Sequence, residues 1–211
     1  MVAGVFPSVS FYLWVFFYFV GVLDGTGWVL DRFDVIEKYI VLLLGVVDRP
    51  LPSLLHLEKE LFILSRVNQV VQRFIRFGKH YKGPCSDVVN ELVRNPLHHV
   101  DAFKIEDGRV FLTQKGRELF NRLVEEGRGD ERFRRLLATL KMIRELYDRL
   151  SKEELLTLIY LSYPEYRERS DISERLLAPS KRKKMARKLL KKGLITEKKC
   201  REMAEEGDFL F

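Results

Sequence analysis

Between residues 181 and 201 the chain carries eleven lysines and arginines against the single acid Glu197. Side chains of that kind at that density bind anions, and the repeating anion that rewards a row of them is a phosphate backbone, because each phosphate neutralised releases condensed counterions. Met185, Leu189 and Leu190 recur at helical spacing and give the stretch one apolar stripe. Lys181, Arg182, Lys184, Arg187, Lys188, Lys191 and Lys192 are then expected on the solvent side, facing DNA or RNA. The stretch has no aromatic residue on which single-stranded bases would stack. A solvated basic helix, or one lying on an acidic membrane surface, is the alternative.

Other candidates carry weaker chemistry. Asn90 and Arg94 have the donors that read base edges, but Asp87 and Glu91 on the same short helix repel phosphate. Lys104 and Arg109 on a following hairpin are offset by Glu106 and Asp107. Cys85 and Cys200 are too few for a disulfide framework or a metal cage, and His56, His80, His98 and His99 show no ligand spacing. The pairs Glu125-Glu126, Glu153-Glu154 and Glu205-Glu206 read as solvated helix faces. No phosphate-cradling glycine loop, nucleophile elbow or zinc-protease motif is present. The expectation is a binding protein with no catalytic residue, metal or cofactor.

These candidates need a scaffold. Apolar spacings of three and four predict a helix over residues 32–47, a second one capped by Ser53 with Leu54, Leu57, Leu61 and Leu64 inward, and its continuation as helix through Phe77. Lys82-Gly83-Pro84 predicts a turn, and Ser86 a short helix that Asn95-Pro96 ends. Phe103 and Ile105, then Val110 and Leu112, alternate around Asp107-Gly108, the pattern of a tight hairpin. Thr113 opens another helix. This order predicts a mainly α fold with a small β-hairpin wing, a winged helix-turn-helix over residues 30–127, followed by a helical region over 128–211. In that region Phe133, Leu136, Leu140, Ile143, Tyr147 and Leu150 form a seam that suits either the chain's own core or a second copy in a homodimer. Ser151 and Glu154 have capping-box spacing. Residues 170–177, a turn and the basic helix are expected to form a second helix-turn-helix, with Gly193 as its stop.

Two motifs add a resemblance. His80-Tyr81-Lys82-Gly83-Pro84-Cys85-Ser86 and Leu112-Thr113-Gln114-Lys115-Gly116-Arg117-Glu118-Leu119 resemble signatures of archaeal winged-helix proteins related to the SocA-like (Panacea) phage-associated antitoxin group. The similarity extends over roughly residues 32–175 and leaves the basic tail outside. It implies regulation of transcription, or neutralisation of a partner protein, without a cofactor.

Composition bounds the rest. A chain of 211 residues with 46% hydrophobic and 32% charged residues is a folded protein with one or two domains, and its net charge of +7 favours anionic partners: nucleic acid, an acidic protein or a lipid surface. Abundant Lys, Arg and Glu with few Gln and Asn are in keeping with a thermophile. Residues 2–23 are uncharged and long enough to cross a bilayer, so residues 1–29 are either a membrane anchor that leaves the body in the cytoplasm or a misassigned start. Without the anchor a cytoplasmic protein is expected.

Overall fold

A computed structural model describes residues 31–205, so the expectations for residues 1–29 lie outside the described part. Helix α1 (Arg32–Gly45) is capped by Asp31, and α2 (Leu54–Val67) by Ser53. The helix expected to run on through Phe77 instead breaks at Asn68. That residue turns extended, and its side chain accepts from the amides of Val70 and Val71 to start a separate α3 (Gln69–Phe74). Strands β1 (Gly78–His80) and β2 (Gly83–Cys85) then pair as a small hairpin where only a turn was expected. Helix α4 (Asp87–Arg94) follows, then the predicted hairpin β3 (Phe103–Glu106) and β4 (Arg109–Leu112), in which Asp107 and Gly108 both take positive φ. Outside the hairpins, Leu51 bridges Val110 in antiparallel fashion.

Helix α5 (Gln114–Gly127) shows why the second motif has its composition. Thr113 caps the helix through the amide of Gly116 and donates its hydroxyl to the carbonyls of Asp101 and Ala102. A side chain at Gly116 would run into the Ala102 carbonyl, so glycine lets the helix lie directly on the base of the hairpin. Any larger residue there would have to push backbone aside.

Helices α6 (Glu131–Tyr147), α7 (Lys152–Ser162), α8 (Ser173–Leu177), α9 (Pro179–Lys191) and α10 (Glu197–Glu205) complete the chain, with a 3-10 turn at Pro164–Tyr166. The mainly helical class is as expected, with two small antiparallel hairpins where one was expected. Among the described residues no helix is long and apolar enough to cross a membrane.

One core joins α1, α2, α4, the second hairpin, α5 and α6 through Ile36, Leu61, Val89, Phe103 and Leu123. It takes in Phe133, Leu140 and Ile143, with Leu136 and Tyr147 packed against it, so it extends past the break expected near residue 127. Leu150 is buried in a second core with Phe62, Ile159, Ala186, Leu189 and Met203. Most of the seam set out above as a homodimer candidate is thus packed within the chain: Phe133, Leu140, Ile143 and Leu150 are buried, and Leu136 and Tyr147 half-buried.

Arg144 ties the first core together. It is fully buried on α6, donates to the carbonyls of Leu43, Leu44 and Arg49, and pairs with Asp148 at 3.0 Å. Helix α1 has no basic residue in its last turn, and Arg144 supplies from α6 the cation that a helix C-terminus favours. Nearby Glu60 is buried and its carboxyl oxygens accept no hydrogen bond among the described residues. Burial, and then the charge of Asp148, push its carboxyl well above the usual range against the pull of Arg144.

Candidate nucleic-acid interface

Pro179 occupies the first turn of α9, and Gly193 with φ +70° ends it as expected. Met185, Ala186 and Leu189 are buried and lay the helix against α7, α8 and α10. The opposite side carries the charge. With about 100° of turn per residue, Lys183, Arg187, Lys191, Lys184 and Lys188 follow one another in that order around the helix over an arc of about 140°. All five are exposed, and none makes an ion pair among the described residues.

Three of the seven expected cations have structural work instead: Arg182 is buried and Lys181 half-buried, which corrects their placement on the solvent side, while Lys192 is exposed there as expected but paired. Lys181 pairs with Glu153 at 2.9 Å, and Lys192 with Glu154 at 2.7 Å. Arg182 is 7% exposed beside the apolar stripe, reaches the Ala204 carbonyl at 3.4 Å, and its Nε has no hydrogen-bond partner among the described residues. The cause is the first turn of α7, whose acidic residues meet the flank of α9. Glu153 is held below the usual glutamate range first by its hydrogen bond from Lys181. Burial raises the Glu154 carboxyl, but hydrogen bonds from Lys192 and Ser151 outweigh it and hold the group low. Lys183 is the free cation missing from the expected set. The signal for it was Ala186, which closes the buried stripe about 60° short of Lys183 and leaves that residue at the edge of the exposed arc.

The residues of α4 and the second hairpin are less available. Asn90 does not face outward as a base reader: its amide donates to the Glu58 carboxylate and to Cys85 Sγ at 3.3 Å. Cys85 in turn donates to Glu58 at 3.2 Å, and Lys59 reaches Glu58 at 3.3 Å and the Pro84 carbonyl at 2.8 Å. This buried polar knot ties α2, β2 and α4 together. Burial, and then the charge of Glu58, push the Cys85 thiol up to about 12, so it is a hydrogen-bond donor and not a nucleophile. Arg94 is exposed and makes no ion pair among the described residues, while Glu91 accepts from Asn95. Lys104 pairs with Glu106 at 2.8 Å, and Arg109 is exposed on β4.

Three of the four histidines have hydrogen-bond partners in the protein, and His80 lies against the ring of Tyr81. His56 is buried between Ser53 and the Leu150 carbonyl, and burial lowers its pKa, favouring the neutral ring. His98 bonds Asp31, the cap of α1, and His99 bonds Asp34 within that helix, whose Glu37 accepts the amides of Leu97, His98 and His99. Among the described residues no three His, Cys, Asp or Glu side chains converge as a metal site would need.

Comparison with known proteins adds no family: no family model matches the chain, and no curated protein matches it.

Proposed function

We propose that this is a nucleic-acid-binding regulator whose affinity comes from the free cationic face of α9, directed at the phosphate backbone of a duplex. The observation that carries it is the separation of roles on that helix: Lys181, Arg182 and Lys192 hold it down, while Lys183, Lys184, Arg187, Lys188 and Lys191 share an exposed side. A solvated helix face needs no such one-sided surplus. A backbone reader does.

A winged-helix architecture for the first core is part of the proposal. The order α1, bridging Leu51, α2, α4, hairpin and α5 fits it, and the Leu51–Val110 bridge supports it by laying a third short extended segment against the hairpin. Helix α3 and the small β1–β2 hairpin would then be an insertion before the third helix. That helix offers Arg94 alone for contact, because Asn90 is tied inward. Base readout by this part is therefore slight, and the antitoxin-like alternative implied by the two motifs would use it for protein contact.

Duplexes of unrelated sequence are expected to bind with affinities within about threefold of one another, and Arg94→Ala to change them by no more than that. Fluorescence anisotropy measures both. Strong preference for one sequence, abolished by Arg94→Ala, would move the interface to α4 and contradict the proposal.

A further inference from the structure

We infer that the open notch where the α6–α7 connection meets the C-terminal half of α9 is a phosphate-binding site with Arg149 as its principal ligand. It rests on the nucleic-acid reading only for the natural source of that phosphate. The notch has a volume of about 640 Å³ and is lined by Arg149, Ser151, Glu154, Lys188, Lys191 and Lys192, with Leu150 at its floor.

Its one acid is already neutralised. Glu154 accepts from Lys192 at 2.7 Å and from the Ser151 amide at 2.7 Å. Lys192 also donates to the Arg149 carbonyl at 2.8 Å, which fastens the backbone of Arg149 to α9 while leaving its side chain uncommitted. Arg149 is exposed, and its guanidinium makes no ion pair or hydrogen bond among the described residues. Arg149, Lys188 and Lys191 are thus three surplus positive charges around one concavity, contributed by two parts of the chain distant in sequence.

The pairing of types suits a phosphate. A guanidinium presents parallel N–H donors to two oxygens of one group, and two ammonium groups add charge without demanding direction. The notch also opens at Ser151, the start of the 11-residue α7, where the helix dipole is positive. Lys188 and Lys191 by themselves could be explained as complements to the negative end of α9. Arg149 likewise follows the C-terminal end of α6, but neither helix end accounts for the three cations lining one concavity.

The test uses the full chain and inorganic phosphate, titrated at constant ionic strength against chloride while thermal unfolding is followed. Wild type is expected to show a saturable rise in Tm with phosphate, and Arg149→Ala to weaken the apparent affinity at least about tenfold. Arg149→Lys should fall between them. The general stabilisation that phosphate gives by exclusion from protein surfaces acts on all variants alike, and Arg134→Ala, which removes an exposed charge from α6 outside the notch lining, should behave as wild type. No saturable rise in wild type, or the same rise in Arg149→Ala, overturns the site.

A second arm identifies the source through the salt dependence of duplex affinity. A slope smaller by about 0.9 in Arg149→Ala assigns the phosphate to a nucleic-acid backbone. An unchanged slope beside a lost phosphate response assigns it to a free phosphate-bearing ligand. If wild type binds phosphate through Arg149 but binds no duplex, the proposed function fails and the site stands.

Discussion

Reversing Lys184 and Arg187 together to glutamate is expected to lower the affinity for a duplex of about 20 base pairs on the order of 100-fold at about 0.1 M salt. Both side chains are exposed on α9, make no ion pair among the described residues, and lie outside the notch near Arg149. Their replacement removes two phosphate partners and places two like charges against the backbone. Folding should be little affected, because the buried stripe of Met185, Ala186 and Leu189 is untouched. The informative comparison is Lys181→Gln with Lys192→Gln. These remove formal charge from the same helix, but from positions already paired with Glu153 and Glu154. They should lower stability and leave most of the binding. Anisotropy titrations beside thermal melts separate the two effects. Losses of binding free energy in proportion to the charge removed, four units against two, would mean that net charge alone matters and that the face has no significance.

Arg144→Met is expected to be the most destabilising single substitution in the first core, costing about 3–5 kcal/mol, or a fall in Tm of roughly 10 °C for a chain of this size. Methionine fills much of the space but removes every donor. The carbonyls of Leu43 and Leu44 lose their partner at the end of α1, the Arg49 carbonyl loses its own, and Asp148 retains only Arg49, whose Nε lies 2.8 Å away. A buried charge left half-paired is what makes such a deletion costly, more than the net worth of the pair. Arg144→Lys should recover little, since one ammonium cannot meet three carbonyls and a carboxylate in different directions. Calorimetry or denaturant titration measures the loss. A cost under about 1 kcal/mol, the range of surface pairs, would show that these contacts do not hold α1 and α6 together.

The sequence was most legible where a short local pattern decides the structure. Asp107-Gly108 specifies its hairpin because both central positions take positive φ. Ser151 and Glu154 form their capping box across three residues, and Thr113 and Ser53 cap their helices as expected. The β1–β2 hairpin was hidden because Gly78, Lys79 and His80 show no alternation and Gly83 supplies the turn from inside a strand. The break at Asn68 was hidden because Val67, Val70 and Val71 keep helical spacing on both sides of it.

At the candidate interface, local spacing located the basic helix and its apolar stripe but could not divide its charges. What takes Lys181 and Lys192 off the free face are acids 28 and 38 residues earlier in the chain. Asn90 is claimed by Glu58, 32 residues away. Each of these pairings follows from how α7 meets α9, or α2 meets α4, and no periodicity within one helix encodes that. Arg144 was invisible for the same reason, reading as one more cation in an amphipathic helix. The seam from Phe133 to Leu150 carried both of its readings until the packing of α6 showed which face it covers.

The most direct measurement is the dependence of duplex affinity on salt between about 50 and 200 mM, because it counts the phosphates that are neutralised. Five free cations on α9 predict a slope of log affinity against log salt near −4.5, at about −0.9 for each phosphate, and about −2.7 after Lys184→Glu with Arg187→Glu, with a further −0.9 or so in each case where Arg149 also takes a duplex phosphate. A slope near zero, or one that these substitutions leave unchanged, would contradict an interface on α9.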